Sequence, residues 1–199
     1  MNRFILRQLV IGVLCGLLGG CGPPQVNRAE PQDAKVYAAF FAESARPQAE
    51  TLFVAESTLV LDALGAREPD PEHSQMLGLL KREGISTELA SSLSQASAQK
   101  RLTRGLRLPA PAHVLSAVEL KGISPADPRE YWNEFYRRYP RARGYQAFSP
   151  IGYSTSGWEA LFYHEYYCGG LCGAGNVVWV ARDSNGHWKV RKTINLWIS

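Results

Sequence analysis

Cys168 and Cys172 stand four positions apart in the run Cys-Gly-Gly-Leu-Cys-Gly-Ala-Gly, with His164 four residues upstream and His187 further along the chain. Soft thiolates combined with imidazole nitrogens suit zinc or copper(I). His164, Cys168, Cys172 and His187 are therefore a candidate metal or thiol-redox set. In an oxidising compartment the same close pair closes instead as a disulfide, Cys168 to Cys172, which is the default for an exported chain. A ring this small constrains the unfolded chain by only on the order of 2 kcal/mol, so such a bond would mainly fix the shape of a glycine-rich loop. His73 and His113 have no evident partner in the sequence.

Other reactive patterns fail on spacing. Gly152, Ser154, Ser156 and Gly157 lie in GYSTSG, but a nucleophile elbow needs glycine where Ser156 stands. The glycine-rich run lacks the Gly-Lys-Ser or Gly-Lys-Thr of a phosphate-binding loop. Glu159 and Glu165 share one face of an alternating segment, yet lie about 20 Å apart along a strand. A glycosidase pair needs its carboxylates ~5 to 9.5 Å apart. The expectation is a binding or structural module without catalysis and without a cofactor; the alternative is a thiol-redox or metal-binding protein built on the Cys168/Cys172 loop.

The first 20 residues carry Arg3 and Arg7 ahead of an uncharged apolar run, Leu9 to Leu18. A membrane-spanning helix needs ~20 apolar residues, whereas the core of a secretory signal needs roughly 7 to 15, so length favours a signal peptide over 1–20. The run ends in Leu18-Gly19-Gly20-Cys21, which resembles the lipobox of bacterial lipoproteins. That resemblance implies cleavage before Cys21 and acylation of its thiol and new amino terminus. Two or more chains anchor a protein stably, at about 0.8 kcal/mol per buried methylene. Residues 21–32, rich in proline and polar side chains, read as a flexible tether. Gly22, not aspartate, follows the cysteine; the sorting rule of two-membrane bacteria then implies the periplasmic face of the outer membrane.

Residues 33–199 read as one domain. The chain of 199 residues is 45% hydrophobic and 20% charged, the composition of an ordinary globular protein. Its formal charge of +4 includes two leader arginines, and the small remainder argues against a nucleic-acid partner. The expected partners are the membrane, through the Cys21 lipid, and an envelope protein or peptidoglycan.

Apolar periodicity predicts helices over 33–45 and 72–82, the second closed by Gly84, and a third capped by Ser86. Strands are expected over 51–60 and from Val114 to Leu120. A basic run holds Lys100, Arg101, Arg104 and Arg107. Asp127-Pro128-Arg129-Glu130 predicts a helix start, and the helix that follows carries Trp132, Phe135, Tyr136 and Tyr139. Trp132, Tyr136, Arg101 and Arg104 are the candidate binding surface. The last fifty residues alternate with period two, and Asp183-Ser184-Asn185-Gly186 is a hairpin signal that would make Trp179 and Trp188 near cross-strand neighbours. The expected fold class is α+β, an antiparallel C-terminal β-meander with helices packed on one face. The pattern from Trp132 through Tyr139-Pro140, Ser149, Gly152-Tyr153, the cysteine loop and Gly186-His187-Trp188 resembles a domain of bacterial envelope proteins to which no activity attaches.

Overall fold

The computed structural model describes residues 31–43, 51–57, 59, 71–98, 108, 111–123, 125 and 127–199. In chain order they form α1 (Pro31–Glu43), β1 (Leu52–Ala55), α2 (Pro71–Arg82), α3 (Thr87–Ser97), β2 (Ala112–Leu115), α4 (Ala117–Gly122), a 3₁₀ turn (Pro128–Glu130), α5 (Tyr131–Arg138), β3 (Tyr145–Phe148), β4 (Gly152–Tyr153), β5 (Glu159–Gly169), β6 (Cys172–Arg182) and β7 (Trp188–Ile198). All seven strands belong to one sheet in the order β2-β1-β3-β5-β6-β7, with β4 pairing β5 beside β3. β1 runs parallel to both β2 and β3. Every pairing from β3 onward is antiparallel. The domain is α+β, and its C-terminal half is a β-meander. Cys21, Arg101 and Arg104 lie outside the described residues.

Helices cover both faces of the sheet, not one. On the first face α1 buries Val36, Tyr37 and Phe41 against Val54, Phe148, Phe162, Val178, Val180 and Trp188. Alternation puts the neighbouring residues on the opposite face, where α2 and α3 pack Leu80, Leu89, Ala90 and Leu93 on Leu161, Tyr163, Val177 and Trp179. Farther along that second face, α5 sets Phe135 against Phe53 and Leu115. β5 and β6 are thus apolar on both sides through their middle, as in a sheet buried between layers. The alternation is real, but both of its halves find partners.

Local chemistry accounts for most element ends. Ser86 caps α3 by accepting from the backbone N–H of Leu89 at 3.1 Å, and the N–H of Ile85 closes α2 on the carbonyl of Leu80 at 3.0 Å. α1 begins at Pro31, inside the span expected to be tether. In the β6–β7 turn, Asp183 Oδ1 accepts from the backbone N–H of Asn185 at 2.9 Å and of His187 at 3.0 Å. Gly186 takes φ 79°, a conformation that costs glycine little.

Three expectations change. The strand predicted over Val114–Leu120 ends at Leu115, because Ser116 and Glu119 form a complete capping box that starts α4. The Asp127–Glu130 signal opens a 3₁₀ turn instead of the α-helix proper, and Asp127 accepts from the N–H of Arg129 at 2.9 Å. Trp179 pairs with Lys192 and Trp188 with Arg182, which places the two indoles in clusters on opposite faces.

Candidate functional site

The sequence candidates separate into two groups. Cys168 and Cys172 are joined as a disulfide across the β5–β6 turn, with Cα atoms 5.0 Å apart. Both flanking strands continue into the glycine-rich run, so only Gly170 and Leu171 remain as turn. His164 does not approach them. It is 5% exposed in the interior, within 2.9 Å of Gln146 Oε1 and against the rings of Phe40 and Phe148. His187 lies beyond the other end of β6, a strand about 33 Å long at ~3.3 Å per residue. The set of His164, Cys168, Cys172 and His187 is therefore not assembled. Among the described residues no group of three or more histidine, cysteine and carboxylate side chains is arranged to hold a metal.

Trp132 and Tyr136, by contrast, join a larger aromatic arrangement. Successive turns of α5 bring both rings toward the disulfide end of the sheet. The Trp132 indole stacks on Tyr145 of β3, with centroids 5.9 Å apart and planes at 21°. Tyr145 lies 5.2 Å from Tyr167 of β5, its registered partner in the ladder. Tyr167 lies 6.2 Å from Trp197 of β7. Four rings from four elements thus run across the sheet between the patch covered by α5 and the patch covered by α2 and α3. All four are partly buried, with a share of each left to solvent.

Glu165 sits within this strip. Tyr163 donates to its Oε1 at 2.9 Å, and Tyr167 donates to its Oε2. The indole N–H of Trp197 in turn donates to Tyr163 Oη at 2.7 Å. Backbone geometry makes room for this chain of donors. A Cβ on Gly175 would fall 2.0 Å from Trp197 Nε1 and 2.3 Å from Tyr163 Oη, so only glycine lets the indole lie across β6.

The electrostatics keep the donors in place. Burial raises the phenol pKa of Tyr163, and the negative charge of Glu165 raises it further while the Trp197 donor works the other way. Burial likewise raises Tyr167, followed by its hydrogen bond to Glu165 and that group's charge. Burial also raises Tyr145, which shares a hydrogen bond with Tyr131. These phenols stay protonated near neutral pH and keep donating. Each carboxylate oxygen of Glu165 retains acceptor capacity beyond its one tyrosine donor. The arrangement can accept hydroxyl or amide donors, or hold a cation, between flat amphipathic rings.

Glu165 enters the sequence reading only as half of a carboxylate pair too widely spaced for glycoside hydrolysis, and Tyr145, Tyr163, Tyr167 and Trp197 are not among its candidate residues. A period-two run of tyrosines around one glutamate was the available signal. Its significance depends on β3 and β7 lying on either side. His113 was also read as lacking a partner; its Nε2 lies 3.2 Å from Glu119 Oε1.

Comparisons with protein-family models, with curated proteins and with solved structures return no match. Fold and site define the class, an α+β domain with a carboxylate-centred aromatic strip at the disulfide end of its sheet.

Proposed function

We propose that this chain is a lipid-anchored protein of the bacterial cell envelope, and that its domain binds the glycan of the cell wall without catalysing a reaction. The observation that carries the binding role is Glu165, held by two tyrosine hydroxyls within a row of partly exposed rings. Pyranose rings present apolar C–H faces for stacking on tryptophan and tyrosine, and hydroxyl or acetamido donors for a carboxylate. The hydrogen-bond partners of Glu165 among the described residues are the hydroxyls of Tyr163 and Tyr167, which hold it as an oriented acceptor, and the reading is binding. The leader and the lipobox through Cys21 support the anchor, and Gly22 in place of aspartate supports the periplasmic face of the outer membrane as its site in a two-membrane host.

Two measurements test the parts separately. Labelled palmitate should enter the wild-type chain and not Cys21→Ser when both are expressed in bacteria; equal labelling, or none, removes the anchor. Purified sacculi should pellet the wild-type protein and lose Trp197→Phe and Glu165→Gln at least several-fold. Equal pelleting of correctly folded variants removes the binding role.

A second reading, thiol-redox exchange, is favoured by one observation: Cys172 is exposed at the hairpin tip, and exposed disulfides are the more reducible ones. Intact mass after alkylation in a glutathione buffer set at periplasm-like potential decides it. A fully oxidised pair sustains the structural role, whereas partial alkylation moves the function to this loop.

A further inference from the structure

A separate cleft opens where the end of α5 meets the starts of β1 and β2. Its volume is about 300 Å³, and Thr51, Phe53, His113, Arg138, Tyr139 and Arg141 line it. Parallel pairing of β1 and β2 sets His113 beside Phe53. The imidazole lies 5.2 Å from the Phe53 ring and 5.4 Å from that of Tyr139.

Glu119 holds the imidazole from behind. Its Oε2 accepts from the Ser116 hydroxyl at 2.6 Å and from the Ser116 N–H at 2.8 Å. Its Oε1 accepts from the Tyr139 hydroxyl at 3.2 Å and faces His113 Nε2 at 3.2 Å. A carboxylate so placed fixes the tautomer with the proton on Nε2. His113 Nδ1 makes no hydrogen bond among the described residues, and the side chain is 41% exposed.

The cations at the cleft are unequally committed. Arg138 uses Nη2 on the Gly122 carbonyl at 3.2 Å and on Glu134 at 3.4 Å, which leaves its other nitrogens available. Arg141 is exposed and has no carboxylate partner among the described residues. Two guanidinium groups and an oriented imidazole thus come from the end of α5, the turn after it and β2, beside two aromatic walls.

We propose that this cleft binds a phosphate-bearing ligand, with Arg138 and Arg141 on the phosphate oxygens, His113 on a third oxygen, and Phe53 and Tyr139 against the attached organic group. One arginine fork already satisfies both oxygens of a carboxylate, whereas two guanidinium groups and an imidazole acceptor match the several oxygens of a phosphate monoanion, one of which carries a proton. With the proton on Nε2, His113 Nδ1 is an acceptor and takes the hydrogen bond of a protonated phosphate oxygen. This assignment does not depend on the glycan role of the Glu165 strip.

The test uses the full chain in detergent, titrated calorimetrically with inorganic phosphate, glycerol 3-phosphate and acetate, and pelleted with vesicles containing or lacking phosphatidylglycerol. Saturable phosphate binding is expected, with acetate at least tenfold weaker. Arg141→Ala should weaken phosphate at least tenfold and His113→Gln several-fold. Should Arg138→Ala fail to fold, Arg141→Ala decides alone, because the exposed Arg141 side chain makes no ion pair with another described residue. Vesicle binding competed by glycerol 3-phosphate and lost in Arg141→Ala identifies a lipid headgroup as the source; binding of the soluble ligands alone identifies a free phosphate or ester. No saturable phosphate binding, equal acetate affinity, or an unchanged Arg141→Ala overturns the proposal.

Discussion

The phenol of Tyr136 donates a hydrogen bond of 2.8 Å to the carbonyl oxygen of Cys168. This bond ties α5 to the first residue of the disulfide ring, 32 positions later in the chain. The aromatic helix and the cysteine loop are therefore one structural unit, and the hairpin end that carries Glu165 is braced from the side.

Tyr136→Phe should lower stability by about 0.5–1.5 kcal/mol, the range for one hydrogen bond. Replacing both Cys168 and Cys172 by alanine should cost about 2 kcal/mol through the unfolded chain. If the phenol and the disulfide brace the same hairpin, the combined variant loses less than the two effects added. Urea unfolding of the four proteins measures the difference.

Gly175→Ala should destabilise the domain by roughly 1–3 kcal/mol, because the new methyl overlaps the Trp197 indole and the Tyr163 hydroxyl. The displaced indole should show a red-shifted emission as it gains water. Unchanged fluorescence and unchanged melting would mean that Trp197 does not lie across β6.

Glu119 is held down at about 2, first by the Ser116 hydroxyl and then by the Ser116 N–H. A carboxylate depressed on folding contributes stability above its unfolded value, near 4.5, and loses that contribution as pH falls toward 2. Wild type should therefore be more stable than Ser116→Ala at neutral pH, and the gap should narrow between about pH 4.5 and pH 2. Melting temperatures across this range check the sign; a gap that widens in acid contradicts it.

Glu165→Gln removes the charge that, after burial, helps hold the Tyr167 phenol high. Tyrosinate absorbance should then appear at lower pH in the variant than in wild type, with the largest change traceable to Tyr167 through a Tyr167→Phe control. Superimposable titration curves would show that Glu165 and Tyr167 are not in contact.

Short-range features were legible wherever the chemistry was local. The Asp183–Gly186 turn, the Ser86 cap, the period-two run of β5 and the four-residue cysteine spacing each act within a few bonds of backbone, so residue type and spacing suffice to place them. Local reading also had limits, as at Ser116: β-branched and apolar residues from Val114 to Leu120 favour a strand, but a serine and a glutamate three apart break it by satisfying each other's backbone donors.

Tertiary structure decided what required a second element. Alternation along β5 separates two sets of side chains but does not say whether water or a helix meets the outer set; α1 on one side and α2, α3 and α5 on the other settled that. Parallel pairing of β1 with both β2 and β3 joins segments far apart in sequence, and no local pattern encodes it. The Glu165 strip draws on α5, β3, β5 and β7, and the arginine cleft on α5, β1 and β2. A carboxylate becomes an acceptor in a row of rings, or a support for an imidazole, only through distances that folding creates between residues the chain keeps apart.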